Sequence, residues 1–414
     1  MNSNQFTDSD SRLTAPDNAV SASEPTEPTV DTRSAESSPT PASPEKPTEP
    51  AEPKKSTAGR TVIWILLSFT IALISIYAII SQNRKFSFGQ FMEYLRNSDK
   101  FWLCCAFAGM LGFILFEALS LKTILRGLSY RKSFLKNTGY SVADIYFSAI
   151  TPSATGGQPA SAYLMMRDKI PGSVTTVSLL INLMMYAVSI VILGVLCFLV
   201  RPGLFFSFDV FPRVLILVGI GVQIGLSLLF LLLIKKGNLL CSFACKCLHL
   251  GAKLHLVHNV AKKEKKLRKS LESYTMCAEM SRGKYKMFAF SLLFNILQRS
   301  SQIAVTVFTY LATGGSARNI VDVFSLQSYV VLGAAYIPIP GGMGVTEYLM
   351  INCLSNYMTS GRLSAEDAEL AASNLGLLSR AISFYSCVLL CGFITLLVIG
   401  IPKLIDKLRE KNRK

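Results

Sequence analysis

Histidine is nearly absent from this chain. Its 414 residues contain three, His249, His255 and His258, all in one basic stretch. No apolar segment therefore holds an imidazole to serve as a general base. The P-loop, H-E-x-x-H, G-x-S-x-G and Rossmann fingerprints are also missing, which excludes the enzyme classes they mark. Carboxylate-based catalysis stays open, but no catalytic residue, metal or cofactor is assigned. Charge is scarce: 16% of residues are charged against 50% hydrophobic, with mean hydropathy +0.40. Those values exclude an ordinary soluble domain and point to the polytopic membrane class. No cleavable signal is expected, because the first apolar run starts at Thr61 and exceeds the length of an h-region.

Acids are outnumbered by bases, 26 to 42, leaving a formal charge of +16. Nucleic-acid binding is disfavoured, because the bases flank apolar spans and no reader module is present. In a membrane protein the same excess marks cytoplasmic loops. The 10 cysteines form no disulfide framework. Cys104, Cys105, Cys197, Cys387 and Cys391 fall in apolar spans and act there as small hydrophobes. Cys241, Cys245, Cys247 and His249 form a C-x3-C-x-C-x-H cluster. It reads either as a metal site or as the apolar side of an amphipathic helix.

Residues 1–58 are rich in Pro, Ser, Thr and Glu and read as a disordered tail. A transmembrane module is expected over 59–405, with a basic tail at 406–414. Full spans are expected near Thr61–Ser81, Phe101–Leu125, Val174–Val200, Pro212–Ile234, Met287–Ala312 and Gly376–Gly400. Loop 235–286 carries helically spaced apolar residues, then the basic run Lys262 to Lys269. It reads as positive-inside charge or as an interfacial helix gathering anionic lipid.

Two further apolar regions are interrupted. Tyr140–Met166 is broken at Thr151-Pro-Ser-Ala-Thr-Gly-Gly-Gln-Pro159, and Val321–Cys353 at Tyr336-Ile-Pro-Ile-Pro-Gly-Gly-Met-Gly-Val-Thr-Glu347. Proline removes a backbone donor and glycine weakens a helix, so neither region reads as one straight helix. Lys136, Arg167 and Lys169 flank the first break and place its ends in the cytoplasm. The loops at 201–211 and 354–375 are poor in bases and are expected outside. The fold class expected is thus all-α and polytopic, with about six full spans and two re-entrant hairpins entering from opposite faces. Both termini are then cytoplasmic.

Helix starts after Gly156-Gly157 and after Gly341-Gly342-Met-Gly344 would aim backbone amides at a common centre. Such ends suit anions and phosphate groups. Pro159 suits a first helical position, and Ser153 or Thr155 suits a cap. The plain alternative for both breaks is a kink that allows tight helix packing. Glu347 falls on the first turn after its break. It either completes the helix end, meets a cationic headgroup, or pairs with Arg380. Arg299 is a second candidate for phosphate or carboxylate. Glu117 and Asp144 are costly intramembrane acids. Asp144 and Gln158 flank the first break.

The run Pro340-Gly-Gly-Met-Gly-Val-Thr-Glu347, with Thr151 to Pro159 and Tyr163-Leu-Met-Met-Arg167, resembles the transmembrane module of the lysylphosphatidylglycerol synthase (multiple peptide resistance factor) family and its stand-alone flippase-like relatives. Relatives often carry an acid where this chain has Gln158. The resemblance spans about residues 60–405. It implies a bacterial cytoplasmic-membrane protein that translocates or binds a phospholipid, aminoacylated phosphatidylglycerol included, or a lipid-linked glycan. Gly156, Gly157, Gln158, Pro340, Gly341, Gly342 and Gly344 would offer close backbone approach, Arg299 and Arg380 would hold phosphate, and Glu347 would meet a cation or gate the path. In full-length relatives a following soluble domain transfers lysine from lysyl-tRNA. With the chain ending at Lys414, that lysyltransferase activity would need another chain, and only then a nucleic-acid partner. A membrane scaffold, an ion-coupled transporter and a homo-oligomer remain open.

Overall fold

The computed structural model describes residues 88–151, 154–235, 281–335, 344–360 and 364–411, together with 279, 337 and 339–342. The expected tail, the Thr61–Ser81 span, the Cys241–His249 cluster and the Lys262–Lys269 run lie outside the described residues, as do Ser153 and residues 412–414. The described residues are helical, with no strand among them.

Helix α1 spans Phe88–Asn97 and α2 spans Lys100–Gly127. Asp99 starts α2 by accepting a bond from the Phe101 amide at 2.8 Å. Its 28 residues reach about 42 Å, more than a hydrocarbon core requires. Helices α3 (Phe134–Ile150) and α4 (Gly157–Arg167) enclose the first break. Next come α5 (Gly172–Val200), the short α6 (Pro202–Phe206) and α7 (Val210–Lys235). Helix α8 spans Tyr285–Ala312, and α9 (Ile320–Ala334) leads into the second break. Beyond a 3-10 turn at Pro340–Gly342 lie α10 (Val345–Ser360) and α11 (Ala365–Arg380). A π turn at Ala381–Ser386 joins α11 to α12 (Cys387–Lys411).

Among the described residues, four segments are long and apolar enough to cross a membrane: Lys100–Gly127, Gly172–Val200, Val210–Leu232 and Ala365–Ile399. Helix α8 has 28 residues, yet Asn295, Gln298, Arg299 and Gln302 make its middle polar. The stretch 354–375, expected as a loop, is instead largely helical. Helix α10 runs on to Ser360 and α11 starts at Ala365, capped by Ser364 with Glu366 and Asp367 in its first turn. The last span therefore starts earlier than its hydropathy alone indicates.

Between helices in lipid, association relies on close packing and hydrogen bonds. Helices α2 and α8 lie against each other, with Gly109 and Gly112 facing Ser301. A Cβ on Gly109 would stand 3.1 Å from the Ser301 carbonyl oxygen. Around this pair, α3 packs against α2, α4, α12 and the Pro340–Gly342 turn. The helix that leads into the first break thus touches the turn of the second.

Candidate functional site

The second break is built on backbone that glycine favours. Gly341 and Gly342 have φ of 61° and 63°. A Cβ on Gly341 would also collide with the Phe384 ring. Pro340 opens the 3-10 turn, and the Gly342 carbonyl accepts from the Thr346 hydroxyl at 2.8 Å. Glu347 lies in the first turn of α10. Its Oε2 accepts from the Gly344 amide at 2.7 Å, and its Oε1 accepts from Arg380 Nε at 2.9 Å. Arg380 Nη2 donates to the Gly341 carbonyl at 3.0 Å, and its guanidinium lies 4.5 Å from the Phe384 ring centre. Glu347 thus completes its helix end and pairs with Arg380 at once.

The π turn contributes here. One extra residue in the helix re-aims the side chains around it. It seats Phe384 between Arg380 and Gly341, and the Tyr385 hydroxyl lies buried within reach of the charges of Arg380 and Glu347. Nothing in the apolar sequence Ala381–Ser386 announces this turn. Phe384 and Tyr385 were therefore not legible as site residues.

At the first break, α3 ends at Ile150 and the Thr151 hydroxyl accepts from the Gly156 amide at 2.8 Å. Thr151 thus holds this turn. Helix α4 starts at Gly157, so Pro159 stands at its third position and not its first. The missing proline donor still falls in the first turn, where amides have no intrahelical partner. Gly157 is buried, and a Cβ there would overlap the Ser148 hydroxyl and Asp144 Oδ1. Gln158 Nε2 donates to Asp144 Oδ2 at 2.9 Å, and the Ser148 hydroxyl donates to Oδ1 at 3.1 Å.

Arg299 does not join Glu347. Its guanidinium lies 4.2 Å from the Tyr186 ring centre and 5.1 Å from that of Phe113, while Nη1 donates to Gln302 at 2.7 Å. Its field reaches Glu117 on α2. Glu117 is buried with one oxygen on Asn182 Nδ2 at 2.7 Å and the other on Gln298 Nε2. Asn182 Oδ1 in turn accepts from Ser120 at 2.7 Å, and Asn295 Nδ2 reaches Ser120 at 2.8 Å. Ser291 lies 2.9 Å from Ser120. This network ties α2, α5 and α8 together. Each interhelical bond of this kind contributes about 0.6–2 kcal/mol in lipid. Sequence reasoning singled out Glu117 but not its partners. Ser291, Asn295, Gln298 and Gln302 recur at helical spacing, and that stripe was the available signal.

A sequence profile described as "Lysylphosphatidylglycerol synthase TM region" matches residues 65–391. This chain belongs to that family. No curated protein matches it. The matched range contains both breaks, the Glu347–Arg380 pair and the Glu117 network. The membrane character of the family agrees with the four apolar crossing segments.

Proposed function

We propose that this protein moves a lipid with an anionic headgroup between membrane leaflets, a phospholipid such as aminoacylated phosphatidylglycerol or a lipid-linked glycan. The reading includes six spans, two hairpins dipping in from opposite faces, and both termini on the cytoplasmic side of a bacterial cytoplasmic membrane. One observation carries it: α3, leading into the first break, packs against the Pro340–Gly342 turn of the second. Interrupted backbone at membrane depth is tolerated only where protein or a water-filled path surrounds it. In this reading the helices starting at Gly157 and Val345 supply polar backbone to one path. The family's lipid-related character supports the same class of substrate.

Arg380 and Glu347 act as placeholders for the headgroup. A guanidinium fork suits phosphate oxygens as well as a carboxylate. An arriving phosphate takes Arg380 from Glu347, and Glu347 is released to meet an ammonium group on the same lipid. The exchange replaces one buried ion pair by two, so neither charge is left unpaired.

The test is leaflet exchange of labelled phosphatidylglycerol in proteoliposomes. Wild type is compared with Glu347→Gln and Gly341→Leu. Each variant should slow exchange by about tenfold or more, equivalent to about 1.4 kcal/mol. Equal rates in all three preparations would refute the assignment.

A further inference from the structure

Helix α8 carries unsatisfied polar atoms on one face. Asn295, Gln298 and Arg299 stand at i, i+3 and i+4, so they are neighbours on the helix surface. Asn295 is 0% exposed, Gln298 1% and Arg299 8%. Asn295 Oδ1, Gln298 Oε1 and Arg299 Nε are each buried without a hydrogen-bond partner. Buried polar groups are nearly always paired, so orphans grouped on a single face call for a missing partner.

Turning the amides over does not supply one. Asn295 Nδ2 donates to the Ser120 hydroxyl at 2.8 Å and to the Ser291 carbonyl at 2.9 Å. The amide oxygen in that place would face the Ser291 carbonyl, acceptor against acceptor. Gln298 Nε2 donates to Glu117, and its oxygen there would face a carboxylate. Both orphan oxygens therefore belong where they are and need a donor from outside. Arg299 Nε needs an acceptor, while its guanidinium stays on Tyr186 and Phe113.

Charge narrows the class of partner. Gln298 joins Glu117 to this face, so the site already holds one acid and, in Arg299, one base. A metal cation or an isolated anion would add an unbalanced charge to a buried site, at high cost. A hydroxyl adds none, and it both donates and accepts. Hydroxyls on neighbouring carbons would donate to the two amide oxygens, and one of them would accept from Arg299 Nε. Two turns further along α8, the Thr306 and Ser379 hydroxyls share a hydrogen bond at 2.6 Å, and Ser379 precedes Arg380. The face is thus tied to the helix that carries Arg380.

We propose that Asn295, Gln298 and Arg299 form a polyol site that reads the hydroxyls of a glycerol- or sugar-bearing lipid headgroup inside the membrane. The site deepens the translocation reading above and rests on it for the phosphate at Arg380. It selects hydroxylated headgroups over others of equal charge.

Phosphatidylglycerol and phosphatidylethanol test this, because they carry the same charge and only the first has headgroup hydroxyls. Each is titrated into the full chain in detergent micelles, and the rise in unfolding midpoint reads binding. Phosphatidylglycerol should bind about fivefold or more tightly, the gain from one or two net hydrogen bonds. Gln298→Met and Asn295→Leu should each narrow that preference. Equal binding of the two lipids by wild type overturns the polyol site, whatever the variants do, and leaves the orphan atoms to water. A preference that both variants retain in full overturns its assignment to α8. Leaflet exchange of both lipids is then followed in proteoliposomes. A binding preference without exchange of either lipid supports the polyol site and refutes translocation. Exchange of both lipids with equal binding keeps translocation and refutes the site.

Discussion

Two buried arginines of this chain lead different lives. Arg380 is held on one side by Glu347 and on the other by the Gly341 carbonyl, with Phe384 beneath it. Arg299 lies on two aromatic rings, donates to one neutral glutamine, and keeps Nε unpartnered. The first cation is neutralised by direct contact, the second through its field on an acid that two amides hold. A contact pair is a fixed element that only an equivalent ligand can open. The second cation has no such bond to an acid, and its ring contacts and the Gln302 bond hold it in place instead.

Breaking the contact pair should have the largest effect. Removing one partner of a buried ion pair leaves a stranded charge and costs about 3–5 kcal/mol. Arg380→Ala should therefore lower thermal stability strongly, and Arg380→Ala with Glu347→Ala should cost less than the sum of the single changes. An additive double variant would show that the two side chains do not act as a unit. Arg299→Ala should cost less in the same measurement, about 1–2 kcal/mol from lost cation–ring contact. A loss equal to that of Arg380→Ala would remove the distinction between the two arginines.

Next in size are the glycines. Gly157→Ala forces a Cβ into the Ser148 hydroxyl and Asp144 and should cost about 1–3 kcal/mol. Gly225→Ala on α7 meets nothing within 4 Å and should be neutral or stabilising, by up to about 1 kcal/mol from helix propensity. Unfolding midpoints of the two variants check both expectations, and a neutral Gly157→Ala would mean the first break is loosely packed.

The smallest effect is expected at Asp168, in the turn after α4. Burial raises its pKa, but the Tyr140 hydroxyl at 2.5 Å and Lys136 at 3.2 Å outweigh this and hold it below the usual carboxylate range. A lowered folded-state pKa stabilises above the unfolded value. The contribution is thus complete at neutral pH and fades as pH falls through the lowered value. Solvent screening keeps it under about 1 kcal/mol. Asp168→Asn should erase that part of the acid-side decline, measured by unfolding as a function of pH.

Much of this was legible in the chain itself. Apolar runs of spanning length, the two Pro-Gly interruptions and the family motif are local properties, so hydropathy and backbone chemistry were enough to read an all-helical membrane protein with two breaks. Local chemistry also put Glu347 at a helix start. The choice of partners was not local. Arg299 and Arg380 are alike in sequence, each a base with no acid within ten residues on either side. Only the packing of α8 against α2 and α5 gave one to Glu117 and the rings. The turn of α11 toward the second break gave the other to Glu347. Pairing depends on which helix faces meet, and that is set by contacts between residues far apart in the chain. The π turn belongs to the same class: its residues read as ordinary apolar helix, and the three-dimensional packing around Gly341 and Phe384 is where its extra residue appears.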